Sequence, residues 1–250
     1  MIKTRRLNEI QEYVLENETV SLDELVTMFN VSKNTIRRDV QELVDSGEFN
    51  KVYGGISVNH SITVPFSDRQ VRNDKEKEQI AKMAAEYVED GNIIFIDSGT
   101  TTLKMLEYIK NKQVTIITNN IDFIMKAIPY NNLTIFSTGG MLEQKTKSFT
   151  SANNKEVIRS YNINKAFLAS TGVSIKNGVT NSLPIESEIK AEVVKRSEVA
   201  FLLVDHDKFN KSSLTSYCKL NEIDYLVTDM LPEANYIQYA ENHHIKLVVS

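Results

Sequence analysis

Cysteine is almost absent from this chain of 250 residues, with Cys218 its single representative. One thiol excludes an internal disulfide and any zinc site built on paired cysteines. Tryptophan is missing altogether. No stretch approaches the roughly 20 apolar residues that a membrane-spanning helix requires. The opening Met1-Ile2-Lys3-Thr4-Arg5-Arg6 leads straight into an amphipathic pattern, without the apolar core and small-residue cleavage site of a signal peptide. The expectation is a cytoplasmic protein. The Walker A loop and the G-x-G-x-x-G fingerprint are also missing, so no nucleotide cofactor is expected. Positive charge is scarce: the formal net charge is -4, and residues 1–60 hold seven basic against ten acidic residues, a balance of -3. Charge as a whole gives no support to nucleic-acid binding, so such a function must rest on where individual cations sit.

What is present is organised in two parts. In residues 5–15, Leu7, Ile10, Val14 and Leu15 recur at helical spacing. Ser21 followed by Glu24 forms a capping-box pattern at the head of a second helix, with Leu22, Leu25, Val26 and Phe29 on one face. After a short turn at Asn30-Val31, Ser32 can cap a third helix that runs to about Ser46 and is closed by Gly47. Ile36, Val40, Leu43 and Val44 face inward. Two short helices, a tight turn and a helix with outward cations make a helix-turn-helix. Asn34, Arg38 and Gln41 lie opposite the apolar stripe, flanked by Thr35 and Arg37. These side-chain types pair with base edges or phosphates. The first turn of the helix, Ser32 and Lys33 included, offers backbone N–H groups to a phosphate. Phe49, Lys51 and Tyr53, then Ile56 and Val58, alternate about Gly54-Gly55, a hairpin wing in which Lys51 can reach phosphate. The candidate DNA contacts are therefore Ser32, Lys33, Asn34, Thr35, Arg37, Arg38, Gln41 and Lys51, on double-stranded DNA.

Pro65 and weak periodicity place a boundary in residues 59–67. The expected division is a winged helix-turn-helix over 1–58, a linker over 59–75 and an α/β domain over 76–250. A polar helix is expected over about 68–89. Beyond it, strand patterns at 93–96, 114–118, 133–137, 166–169, 200–204, 225–228 and 245–249 alternate with helix patterns at 101–109, 121–128, 186–196 and 233–242. This rhythm predicts a mainly parallel sheet covered by helices, in which ligands bind beyond the carboxyl ends of the strands. Those ends carry Asp97-Ser98-Gly99-Thr100-Thr101-Thr102, Asn119-Asn120, Thr138-Gly139-Gly140, Ser170-Thr171-Gly172 and Asp205-His206-Asp207-Lys208. Their convergence would suit a small, polar, phosphorylated ligand, with Lys208 as counter-charge. The same groups leave an enzymatic alternative open, a sugar-phosphate isomerase or transferase using Glu186, Glu188, Asp97 and Lys208 for acid–base work.

The chain also resembles the DeoR-type bacterial transcription regulators along nearly its whole length. The resemblance rests on Val31-Ser32-Lys33-Asn34-Thr35-Ile36-Arg37-Arg38-Asp39, Val52-Tyr53-Gly54-Gly55, Pro65-Phe66-Ser67-Asp68-Arg69, Glu76-Lys77, Asp97-Ser98-Gly99-Thr100-Thr101, Thr118-Asn119, Gly139-Gly140 and Asp205-His206-Asp207-Lys208-Phe209. It implies a winged helix joined to an effector domain of the sugar-phosphate-isomerase and CoA-transferase type. It also implies an oligomeric repressor, a dimer or tetramer, released from DNA by a phosphorylated sugar. Within the family, the chain is most similar to members that repress inositol catabolism, through Val20-Ser21-Leu22-Asp23-Glu24-Leu25, Phe95-Ile96-Asp97-Ser98-Gly99-Thr100 and Tyr161-Asn162-Ile163-Asn164-Lys165. That similarity implies an effector such as 2-deoxy-5-keto-gluconate 6-phosphate. Carried over by residue, Gly99, Thr100 and Thr101 would hold phosphate. Asn119, Gly139, Gly140 and Lys208 would line the sugar site, with Asp97 shaping the loop or meeting a hydroxyl. Gly172 stays a candidate from its strand-end position. The chain departs from the family pattern at Asp207, usually Ser; a carboxylate there would weaken anion binding if it pointed inward.

Overall fold

The computed structural model describes residues 3–45, 49–59 and 64–250. The chain divides after residue 62 into two compact units.

The first unit contains helices α1 (Lys3–Asn17), α2 (Leu22–Phe29) and α3 (Lys33–Asp45), and strands β1 (Thr19–Ser21), β2 (Phe49–Val52) and β3 (Gly55–Val58). The capping box expected at Ser21 is half formed. Ser21 Oγ accepts the Glu24 N–H at 3.1 Å, but the Glu24 carboxylate accepts from the Tyr13 hydroxyl instead of turning back. Asn30 adopts a left-handed conformation, φ 49°, that closes α2. Ser32 Oγ then accepts the Thr35 N–H at 3.2 Å and opens α3. The Ser46 and Gly47 expected at the end of that helix lie outside the described residues. Ile10, Val14, Leu25, Ile36, Val40, Phe49 and Ile56 are buried together, each contributing about 1.5–3 kcal/mol by leaving water. The hairpin turns through Tyr53 and Gly54, with Val52 opposite Gly55. The third strand, β1, was not foreseen. It pairs antiparallel with β3, completing the order β1-β3-β2. Gly55 permits this pairing, because a Cβ there would stand 2.4 Å from Val20 O.

The second unit is built on a seven-stranded parallel sheet of order β15-β14-β12-β9-β4-β5-β6. Its strands are β4 (Ile93–Ile96), β5 (Val114–Thr118), β6 (Leu133–Ser137), β9 (Ile163–Ala169), β12 (Ser197–Leu203), β14 (Tyr225–Thr228) and β15 (Lys246–Val249). Alternate residues feed opposite faces. Ile94 and Ile96 join Ile116, Phe167 and Phe201 under α5 (Asp74–Ala85), α6 (Thr100–Lys104), α7 (Leu106–Ile109) and α8 (Ile121–Ala127). Phe95 joins Ile117, Leu168 and Leu202 under α9 (Asn154–Arg159), α10 (Pro184–Arg196) and α11 (Ala234–Asn242). Burial on both faces explains why these strands read as continuous apolar runs.

Three features depart from the sequence expectations. The polar helix over 68–89 is two helices, α4 (Phe66–Val71) and α5, separated at Asn73, whose φ is +50°. The stretch 59–75, expected as a linker, includes α4, and Phe66 is buried in the core of the second unit. A hairpin of β7 (Met141–Glu143) and β8 (Ser148–Thr150), and an antiparallel sheet of β10 (Gly172–Ser174), β11 (Gly178–Asn181) and β13 (Thr215–Cys218), supplement the main sheet. Among the described residues, no helix is long and apolar enough to cross a membrane.

Candidate functional site

In the first unit, α3 shows no exposed carboxylate from Lys33 to Gln41, while Glu42 and Asp45 are exposed at its far end. Asp39, the acidic residue in its middle, is turned inward and takes two hydrogen bonds from the Arg6 guanidinium of α1, at 2.7 and 3.2 Å. Arg37 and Arg38 are exposed and form no hydrogen bond or ion pair with another described residue. Asn34 is likewise exposed. The remaining candidates are engaged. Ser32 caps the helix and its hydroxyl meets that of Thr35. Lys33 pairs with Asp23 of α2. Gln41 donates to Asp45 at 2.8 Å and accepts from Lys51 of the wing at 3.3 Å. That bond fastens the wing to the helix. Tyr53, fully exposed at the hairpin tip, was read only as part of the alternation; its place in the turn is the signal that could have singled it out.

In the second unit a small pocket of about 20 Å³ opens at the carboxyl ends of β4 and β9. Ser98 and Gly99 form one wall, and Ala169, Ser170 and Thr171 another. Arg69 enters from α4, Glu186 and Lys190 from α10, and Asn181 from β11. Gly99 is demanded by packing: a Cβ there would lie 2.4 Å from the Ala169 Cβ. Lys190 Nζ is surrounded by acceptors, with Asp97 and the Ala169 carbonyl each at 2.8 Å and Asn181 at 3.2 Å. The second oxygen of Asp97, Oδ1, is buried without a partner, as is Oδ1 of Asn119. Burial works against the Glu186 charge. The nearby Lys190 and hydrogen bonds from Ser148, Asn181 and Thr146 nevertheless hold its carboxyl below the usual range.

Next to this pocket, Arg69 belongs to a group of cations. Burial pushes the Lys77 ammonium down to about 8, with Asp205 opposing the shift and Lys208, Arg69 and Arg72 adding to it. Lys77 Nζ donates to the carbonyls of Arg69 and Arg72, under the last turn of α4. Burial lowers Lys208 as well, with Asp205 opposing and Arg72 and Arg69 reinforcing. Arg69 is lowered by burial and partly restored by Glu186 and Asp97. Four like charges sharing one neighbourhood raise one another's free energy, and a multivalent anion relieves that repulsion. Asp207, whose carboxylate accepts from Asn73 at 2.7 Å, also acts by charge on Lys208 and offsets part of this positive field.

The strand-end candidates thus separate. Gly99 lines the pocket, Asp97 lies beneath it through Lys190, and Lys208 is not among the residues that line it. Asn119 is buried, its Nδ2 3.5 Å from Ser98 Oγ. Thr100 and Thr101 are buried in α6 and do not line the pocket. Gly139 and Gly140 form the turn into β7 with φ of 68° and 113°. Gly172 sits in β10, where a Cβ would lie 2.6 Å from Lys211 O. None of these three glycines lines the pocket. Arg72, Asn181 and Lys190 carry no strand-end signal, and Arg69 and Lys77 stand in the sequence only within motifs of the family resemblance, because all five lie outside the main-sheet strand ends. Glu186 and Lys190, one helical turn apart, were the available signal. Among the described residues no His, Cys, Asp and Glu group could hold a metal ion.

Comparison with known proteins agrees with both halves. Residues 6–62 match the DeoR-like helix-turn-helix domain, and residues 72–230 match the DeoR C terminal sensor domain. The chain is 41% identical to the HTH-type transcriptional regulator IolR of Bacillus subtilis over 98% of each chain. It is 32% identical to the lactose phosphotransferase system repressor of Staphylococcus epidermidis over 92% of this chain and 93% of that one. Among solved structures, ribose 5-phosphate isomerase from Plasmodium falciparum aligns with 54% of this chain and 53% of its own, at 19% identity and a TM-score of 0.40.

Proposed function

The chain belongs to the DeoR family of DNA-binding transcription regulators, and from that premise we propose that it is a cytoplasmic repressor of a carbohydrate-catabolism operon, released when a phosphorylated intermediate occupies the pocket beside Arg69. The observation that carries this reading is the pocket walled by hydroxyl and amide side chains that Arg69 enters, with the Lys77 ammonium fastened to the Arg69 and Arg72 carbonyls beside it. The cations suit a phosphate, and Ser98, Ser170, Thr171 and Asn181 suit sugar hydroxyls. The similarity to IolR, together with the inositol-branch motifs, favours an inositol-degrading operon, with 2-deoxy-5-keto-gluconate 6-phosphate as effector.

The site is proposed to bind without turnover. Both oxygens of Glu186 are occupied, by Ser148 and Asn181, and the Lys190 ammonium is held by three acceptors. These bonds favour a fixed, ligand-holding role for both groups. Assembly as a dimer or tetramer would place two heads on paired half-sites and offset the acidic balance of each head.

The experiment is an operator-binding titration with DNA from an inositol operon, repeated with 2-deoxy-5-keto-gluconate 6-phosphate, fructose 6-phosphate, glucose 6-phosphate, ribose 5-phosphate and inorganic phosphate. One sugar phosphate should weaken operator binding, with no product formed from it. Operator affinity indifferent to the whole panel would remove the sensing half of the proposal. Steady turnover would replace it with the enzymatic alternative.

A further inference from the structure

Arg69 occupies a position that no other pocket residue shares. It lines the pocket, and it lies only a few residues after the chain passes from the first unit into the second. Its Nε donates to the carbonyl of Val64 at 3.1 Å. Its terminal nitrogens form no hydrogen bond with any described residue, and its guanidinium stands over the Phe66 ring at 5.4 Å. From Phe66 onward the segment is fastened independently: the Phe66 side chain is buried, its N–H donates to Lys145 O at 2.8 Å, and Lys77 holds the carbonyls of Arg69 and Arg72. Val64 precedes all of these ties.

Resting on the proposed sensing role of the pocket, we propose that Arg69 couples ligand binding to the DNA-binding unit. Its terminal nitrogens take the ligand's anionic group while Nε holds Val64, so an occupied pocket fixes the backbone that leads to the DNA head. The guanidinium is planar and presents its donors in a rigid fork. A bidentate anion therefore sets the orientation of the whole group, and with it the Nε donor. Glu186 and Asp97 act on this guanidinium through charge, with no hydrogen bond to it among the described residues. Lys190 cannot play this part, because its ammonium is held by Asp97, Ala169 O and Asn181. Lys208 can attract the anion but forms no hydrogen bond to the described residues before Phe66.

The test uses the full chain with Arg69→Lys, Arg69→Gln and Lys208→Gln, the panel member that binds tightest, and inorganic phosphate as the minimal anion. Ligand affinity is read by calorimetry and operator affinity by anisotropy, the latter with and without saturating ligand. Arg69→Lys keeps the charge but loses the fork. It should still bind ligand, more weakly, yet at saturation the ligand-induced fall in operator affinity should shrink by about tenfold or more, within the usual range of coupling between sites. Lys208→Gln should also weaken ligand binding but, at saturation, give the full fall. Arg69→Gln should lose ligand affinity for both probes. Full release of operator by saturated Arg69→Lys overturns the coupling role while leaving the sensing role intact. A wild-type protein whose operator affinity ignores every ligand overturns both.

Discussion

The buried pair between Arg6 and Asp39 is the point at which the DNA head is most vulnerable to a single substitution. Side-chain exposure is 10% for Arg6 and 2% for Asp39, and the two residues join α1 to the middle of α3. Asp39→Ala removes the carboxylate that accepts both guanidinium hydrogen bonds and leaves those donors unpaired. Breaking a buried pair from one side costs about 3–5 kcal/mol, and the low end applies because Arg6 keeps some access to water. A unit of this size holds roughly 3–9 kcal/mol in all, so about 3 kcal/mol removes a third or more of it. With about 4–8 °C of melting temperature per kcal/mol for a small domain, the head transition should fall by more than 10 °C. Calorimetry on the full chain can follow it, with the transition of the second unit as an internal reference. Operator affinity should fall in step. The double variant Arg6→Met, Asp39→Leu should recover most of the deficit, since two apolar side chains of similar volume leave no charge unpaired. A head transition in Asp39→Ala within about 0.5 kcal/mol of wild type would refute the argument that this pair sets the pose of α3.

Other consequences follow from the same geometry. Gly99→Ala sets a methyl 2.4 Å from the Ala169 Cβ and should destabilise the second unit by about 1–3 kcal/mol; adding Ala169→Gly should relieve it, as denaturant unfolding would show. Lys77 titrates near 8 in the folded chain, below its ordinary 10.5. While charged it is therefore a burden on the fold, and the stability of the second unit should rise from pH 8 towards 10. Sugar-phosphate affinity should move the other way, falling by up to about tenfold between pH 7 and 9 as the charge disappears; Lys77→Met should flatten both trends. Arg37→Ala and Arg38→Ala should each weaken operator binding and reduce its logarithmic salt slope by about 0.9 for each phosphate left without its cation. A slope unchanged in the double variant would remove α3 from the residues that grip the DNA backbone.

The main sheet was legible because its strands are buried on both faces. Val114–Thr118 and Tyr225–Thr228 are found where their apolar runs placed them. The small sheet of β10, β11 and β13 was not, because segments of three or four residues such as Gly172–Ser174 carry too little periodicity to separate from loop. The break between α4 and α5 was hidden for another reason. Asn73 sits in a run of polar residues with no proline or glycine, and its left-handed backbone shows only once Asp207 of a distant turn takes its amide. At the pocket, reading strand ends found Gly99 and the residues around it. Gly140 and Gly172 do not line the pocket, and their lack of a Cβ serves close backbone approach to Thr150 and Lys211. Reading strand ends passed over Arg69 and Lys190 because a charged residue on a helix is ordinarily a solvated one, and only the fold shows these two turned toward the sheet.

The central claim is that this chain carries two binding equilibria, one for operator and one for a sugar phosphate, that oppose each other. Linkage makes that claim measurable from the ligand side. The affinity of the active sugar phosphate should be titrated on the free protein and on the protein saturated with operator DNA. The account predicts weaker ligand binding on DNA, by the same factor by which the ligand weakens operator binding. Equal ligand affinity with and without DNA would contradict it.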